Sequence, residues 1–309
     1  MTRTHVAFLV LLAALLAAPF FVYPVLLMKV LCFALFACAF NLLLGFTGLL
    51  SFGHAAFLGT AAYTTGYAMT HLPVTPEVAL ILGTLAAAAL GVVFGGLAIR
   101  RQGIYFAMIT LALAQMVYFF CLQAPITGGE DGLQGVPRGL LFGFLDLRDD
   151  MMMYYFVLAV FVAGFLIIYR TINSPFGQVL KAIRENEPRA LSLGYDVDRY
   201  KLVAFVLSAA LAGLAGATKT MVLGFATLTD VHWATSGEVV LMTLVGGVGT
   251  VLGPIAGAVI IVVLQNELAD KVGSWVTVIM GAIFVATVLA FRRGVVGEIA
   301  ARLGGKRGQ

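Results

Sequence analysis

The chain has 309 residues, of which 61% are hydrophobic and 11% charged, and its mean hydropathy is +1.02. Soluble domains carry roughly 45–50% apolar and about 25% charged residues, so these values exclude a soluble globular protein, and they exclude a disordered, collagen-like or coiled-coil chain as well. What remains is a polytopic membrane protein, and where the charges behind its net +4 sit matters more than their sum.

A membrane span needs about 20 apolar residues. Reading apolar runs between charges, prolines and glycine clusters gives ten segments: 6–27, 30–46, 52–70, 78–99, 104–123, 151–170, 202–223, 239–252, 254–267 and 274–291. The first begins like a secretory signal, with Arg3 ahead of an apolar run that holds Ala17 and Ala18. It continues past Pro19 to Leu27, long enough to stay as a span. Spans two to five (30–123) and seven to ten (202–291) would enter the membrane from opposite sides, the layout of an inverted repeat. The expected fold is an all-α bundle, a single transmembrane domain over 1–309 with a short tail at 292–309.

An even number of spans puts both termini on one side. If that side is the cytoplasm it holds 14 of the 19 Lys and Arg residues, while 10 of the 15 acids lie opposite. The positive-inside rule then makes both termini cytoplasmic. Lys219 falls near the outer end of its span, where its stem can snorkel.

The first repeat block holds a glycine-broken stretch (Gly45, Gly48, Gly53, Gly59), and the second holds another (Gly246, Gly247, Gly249, Gly253, Pro254, Gly257). Glycine and proline at membrane depth mark either a solute path or close helix packing, and Gly249, Gly253 and Gly257 have packing spacing. Both readings stand. Asn41, Thr47, Ser51, Gly53, Thr110 and Gln115, with Gly247 and Gly249, are the candidate wall of a path for a small polar solute.

The external loop 124–150 carries Thr127, Gly128, Gly129, Glu130 and Asp131 before Pro137, a run that is either an ordinary turn or an external docking or gate element. The loop 171–200 is the long one on the cytoplasmic side. Ser174 is placed to cap a helix with Pro175 in its first turn, and Phe176, Val179, Leu180 and Ile183 recur with helical period. A second short helix is expected from Pro188 to a stop at Gly194. The apolar stripe can lie on lipid, tuck under the bundle, or dock in a groove of a soluble partner.

No catalytic group or metal set emerges. His5, His54, His71 and His232 form no H-E-x-x-H, Ser51 lacks a G-x-S-x-G elbow, and Gly213 to Thr220 is not a phosphate loop. His54 reads as a packed imidazole, and Cys32, Cys38 and Cys121 as small packing residues. No acid or acid–base pair sits mid-span, which argues against a proton- or sodium-coupled carrier.

Four stretches, NLLLGFTGLLSFGHAAFLGTAAY (Asn41 to Tyr63), ITGGEDGL (Ile126 to Leu133), SPFGQVLKAIRENEPRALSLGYDVDRYKLVAF (Ser174 to Phe205) and GGVGTVLGPIAGA (Gly246 to Ala258), together resemble the LivM-type permease subunits of bacterial ABC importers for branched-chain amino acids. The resemblance covers about Phe40 to Arg293. It implies that Ser174 to Gly194 is the element that docks on a cytoplasmic ATP-binding subunit, with Phe176, Leu180, Ile183, Arg184, Glu187, Ala190 and Gly194 as its residues. Such permeases carry E-A-A-x-x-x-G there. Ala190 and Gly194 match, whereas Pro188 and Arg189 replace the Glu and first Ala, and Glu187 is displaced by one position.

The resemblance also implies the working assembly. A second homologous permease, two ATP-binding subunits that hold ATP and Mg, a periplasmic solute-binding protein and the lipid of the bacterial inner membrane would surround this chain. No nucleic acid and no cofactor of its own are expected. Related permeases serve urea, amides or small carboxylates, and a self-sufficient secondary carrier is the reading from a different class.

Overall fold

The computed structural model describes residues 12–275, 278–283, 285 and 294. Half of the expected tenth span, the start of the first and nearly all of the tail lie outside the described residues. Residues 12–17 are helical and a 3-10 turn follows at Ala18–Phe20. Then come α1 (Pro24–Thr47), α2 (His54–His71), α3 (Pro76–Ala98) and α4 (Ile104–Gln123). A loop holds the short antiparallel pair β1 (Leu140–Leu141) and β2 (Leu145–Asp146), in which Leu140 faces Asp146 and Leu141 faces Leu145. The chain continues through α5 (Asp150–Ile172), α6 (Pro175–Glu185), α7 (Glu187–Ser192) and α8 (Val197–Leu223). Next come α9 (Leu228–Val231), α10 (Trp233–Gly246) and α11 (Gly253–Val272), followed by a 3-10 turn at Gly273–Trp275 and helical residues at 278–283.

The all-α expectation holds, and among the described residues five helices, α1, α3, α4, α5 and α8, are long and apolar enough to cross a membrane. Several boundaries move for local reasons. The second expected span starts at Pro24, not residue 30, because proline suits a first helical turn and cannot continue the helix before it. The seventh starts at Val197, where the Asp196 carboxylate accepts the Arg199 amide at 3.3 Å. The expected 239–252 span is instead Trp233–Gly246: His232 Nδ1 accepts the Ala234 amide at 3.3 Å, and Gly247, at φ 119°, ends the helix.

Helices α1 and α8 form the centre, with 78% and 67% of their most apolar windows buried, against 33% for α3 and 28% for α4. Helix α8 packs on α1, α2 and α3, while α1 also takes α5, α10 and α11. Apolar lipid gives helices no hydrophobic reason to associate, so close van der Waals approach and interhelical hydrogen bonds must supply it. Helix α3 shows how: Ala79, Gly83, Ala87, Gly91 and Gly95 recur every fourth residue on its buried face. An added methyl at Gly91 would overlap Ala209, one at Gly213 would overlap Ala87, and one at Gly216 the Leu58 carbonyl. Polar bonds cross the same seams, Thr65 to the Ala79 carbonyl at 3.1 Å and Ser208 to the Ala39 carbonyl at 2.5 Å.

The α10–α11 hairpin is built in the same manner. A side chain at Gly257 would collide with the Met242 carbonyl, and one at Gly246 with the carbonyl of Gly253. Close packing is therefore the role of Gly246, Gly253 and Gly257, and only the intervening turn, 247–252, is an interruption.

Candidate functional site

The loop after α5 forms as two helices. The Ser174 hydroxyl accepts the Gly177 amide at 3.3 Å, with Pro175 in the first turn of α6. Helix α7 begins at Glu187, one residue before the expected Pro188, because the Asn186 side chain caps it through the Arg189 amide at 3.1 Å. Gly194 follows with φ 87°. The apolar stripe folds back on the chain: Leu180, Ile183 and Ala190 are buried, with Ile183 and Ala190 packed on Val197. Phe176 stacks on Tyr200 with centroids 5.5 Å apart. Within the chain, then, the stripe is tucked, with Leu180 and Ile183 covered by the chain's own residues. The face left open carries Leu191 (56% exposed), Leu193 (69% exposed), Glu185 and Arg189.

Glu187 turns inward. Its carboxylate pairs at 2.7 Å with Lys201, whose side chain is 3% exposed, and so ties α7 to the base of α8. Its displacement by one position gives it a partner that the sequence pattern did not reveal. Arg184 also points back to the bundle and donates to the Gly45 carbonyl, while Lys181 sits over the Phe46 ring, 5.8 Å from its centroid.

The path candidates largely spend their polar groups within the chain. Asn41 donates to the Thr250 carbonyl and accepts from the Gly249 amide, both at 2.9 Å. Thr47 donates to the Leu43 carbonyl. Ser51 accepts the Gly53 amide at 3.2 Å, and Thr110 accepts the Phe52 amide at 3.2 Å while donating to the Ala107 carbonyl. Gly247 and Gly249 lie in the 247–252 turn against α1. Gln115 stands apart on the weakly buried helix α4, whose exposed side includes Met108, Met116, Phe119 and Phe120.

At the opposite end of the bundle, Thr127 is buried and donates to the Cys121 and Ala124 carbonyls at 2.5 and 2.7 Å. Gly128 and Gly129 make a tight turn, and the Asp131 carbonyl accepts the Gln134 side chain at 3.0 Å. Leu133 and Ala226 exchange two backbone bonds of 2.9 Å, which lash this loop to the end of α8. Arg138 reinforces the joint through Asp150 at 2.5 Å and the Val222 carbonyl at 2.9 Å.

Lys219 does not snorkel. It is buried and paired with Asp230, itself buried, and the Phe33 ring lies 6.0 Å away. Such a pair escapes sequence reading because its halves sit on two helices separated by the Gly224 turn. His54 is packed as expected, among the rings of Phe40, Phe57 and Phe205, with Nε2 2.9 Å from the Ser208 hydroxyl. The Ser208 proton goes to the Ala39 carbonyl, so Nε2 is the donor.

A profile of the family described as branched-chain amino acid transport system / permease component matches residues 23–288. The chain belongs to this family. With its apolar helices, the permease is a multi-pass membrane protein. It is 29% identical over 292 residues to the high-affinity branched-chain amino acid transport system permease protein LivM of Salmonella typhimurium, covering 87% of the permease and 68% of that relative. It is 29% identical over 272 residues to the protein of the same name from Escherichia coli K12, covering 81% and 64%. The probable branched-chain amino acid transport permease protein LivH of Methanocaldococcus jannaschii shares 29% over 171 residues, 51% of the permease and 50% of that relative. The permease thus spans about two thirds of the length of the two LivM proteins and half that of LivH. No solved structure matches it.

Proposed function

We propose that the chain is the membrane-embedded permease subunit of an ATP-driven importer for branched-chain or related hydrophobic amino acids. It works in a bacterial inner membrane beside a second, homologous permease, with two cytoplasmic ATP-binding subunits that hold ATP and Mg and a periplasmic binding protein that delivers the solute. The observation that carries this reading is the family match over 23–288, joined to a loop of two helices at one end of the bundle. The presence of both LivM and LivH among its relatives supports a second permease.

In this reading the 171–200 end is cytoplasmic and the chain is one domain of about ten crossings in two inverted blocks. Helices α1 and α8, which would be counterparts, each end on a left-handed glycine, Gly48 and Gly224, and each receives an arginine from a remote loop on one of its last carbonyls. That matched construction supports the repeat. The ATP-binding subunit docks on the exposed face of α7, through Leu191, Leu193 and Arg189, with Gly194 turning the chain away. Gln115, an amide at mid-helix on an open face, is costly against lipid and suits contact with the second permease or a wet path. Thr127 to Asp131 lie where the binding protein arrives.

The test is to tag the chain, extract it gently from its native membrane and identify its companions by mass spectrometry. A homologous permease and two ATP-binding subunits are expected. A chain that purifies reproducibly alone contradicts the reading.

A further inference from the structure

Every helix ends with carbonyls that lack a helical partner. At the end of α1, Gly48 takes φ 76°, and the amides of Gly48 and Leu49 both turn back to the Leu43 carbonyl, which also accepts the Thr47 hydroxyl. The Gly45 carbonyl, whose helical donor would be Leu49, is therefore open, and Arg184 of α6 donates to it through Nη1. A cation at the negative end of a helix dipole makes this a charge-assisted bond.

The same spot holds the turn between α10 and α11. A side chain on Gly45 would lie 2.7 Å from the Gly249 amide nitrogen, and one on Gly249 would come within 3.2 Å of Arg184 Nη1 and 3.3 Å of the Gly45 carbonyl. One turn earlier on α1, Asn41 grips the amide of Gly249 and the carbonyl of Thr250. Three separate segments, α6, the end of α1 and the 247–252 turn, thus meet at the guanidinium. A simple helix cap requires only the first two.

We infer that Arg184 is a positioning residue that ties α6 to the 247–252 turn, so that a displacement of the loop is passed through the Gly45 carbonyl into the glycine interruption of the bundle. One nitrogen, Nη1, meets both segments, donating to the Gly45 carbonyl and standing beside Gly249, and the rigid planar guanidinium holds it there where a lysine ammonium would be a mobile point charge. The inference rests on the importer reading, since a partner pushing on the loop is what gives α6 a displacement to pass on.

The test uses the complex purified with its ATP-binding subunits, carrying Val248→Cys in the turn as a reporter. The native cysteines Cys32, Cys38 and Cys121 are buried. Maleimide labelling is timed with and without ATP plus vanadate. If no ATP-binding subunit accompanies the chain while Arg184 is intact, the importer reading and this inference fall together. Where the complex forms, nucleotide is expected to change the labelling rate about fivefold, the lower end of common coupling strengths. Arg184→Ala is expected to abolish that change while assembly and ATP hydrolysis persist. A nucleotide-dependent change that survives Arg184→Ala, or none with Arg184 intact, overturns the inference and leaves the importer reading standing. If Arg184→Ala does not assemble, Arg184→Lys decides: it keeps the cation at the end of α1 without the fork, so a diminished change supports the inference and an undiminished one overturns it.

Discussion

Lys219 and Asp230 are buried together where α8 meets α9. A buried pair is weak evidence for stability, but removing one half leaves an uncompensated charge and costs about 3–5 kcal/mol. Lys219→Met is therefore expected to lower the thermal stability of the purified protein strongly, and Lys219→Met with Asp230→Asn to recover part of the loss. A melting temperature unmoved by the single change would show that Asp230 is satisfied by some other group. Neither half of this pair was visible as such in the sequence. Lys219 reads there as a terminal lysine free to reach the membrane surface, since nothing in a linear pattern shows that the turn at Gly224 brings Asp230 back across it. The same limit hid Glu187 with Lys201 and Arg184 with Gly45, whose partners are 14 and 139 residues away.

The two helices of the 171–200 loop were legible because their signals are local: Ser174 and Pro175 open α6, and Gly194 closes the element. Which face meets a partner was not, since a periodic apolar stripe looks the same whether it packs inward or outward. The burial of Ile183 and the exposure of Leu193 separate the two cases. Ile183→Asp is expected to break the packing of α6 on Val197 and make the loop sensitive to protease. Leu193→Asp is expected to leave the loop resistant and to release the ATP-binding subunit. The reverse pattern, with co-purification lost only on changing Ile183, would put the docking face on the stripe. Tight seams make a separate demand: Gly213→Leu forces α8 away from Ala87 of α3 and is expected to cost about 1–3 kcal/mol or more through overpacking, read as a lowered melting temperature.

For the molecule as a whole, composition alone was enough to exclude a soluble protein, and the apolar runs located the long helices to within a few residues at most ends. The 239–252 segment failed because hydropathy does not distinguish a helix from an apolar turn. Val251 and Leu252 continue the apolar run, yet the backbone at Gly247 and Gly249 has already left the helix. Orientation is tested by impermeant thiol labelling in intact cells: a cysteine at Gly129 is expected to react from outside and one at Asn186 to remain protected, and opposite labelling would invert the bundle. The most direct measurement is ATP-dependent uptake of L-leucine into proteoliposomes that hold the chain with its companion permease, ATP-binding subunits and binding protein. Accumulation that requires ATP and both permeases is the expected result. Uptake of leucine by this chain alone, down or along a gradient and indifferent to ATP, would contradict it and make the protein a self-sufficient carrier.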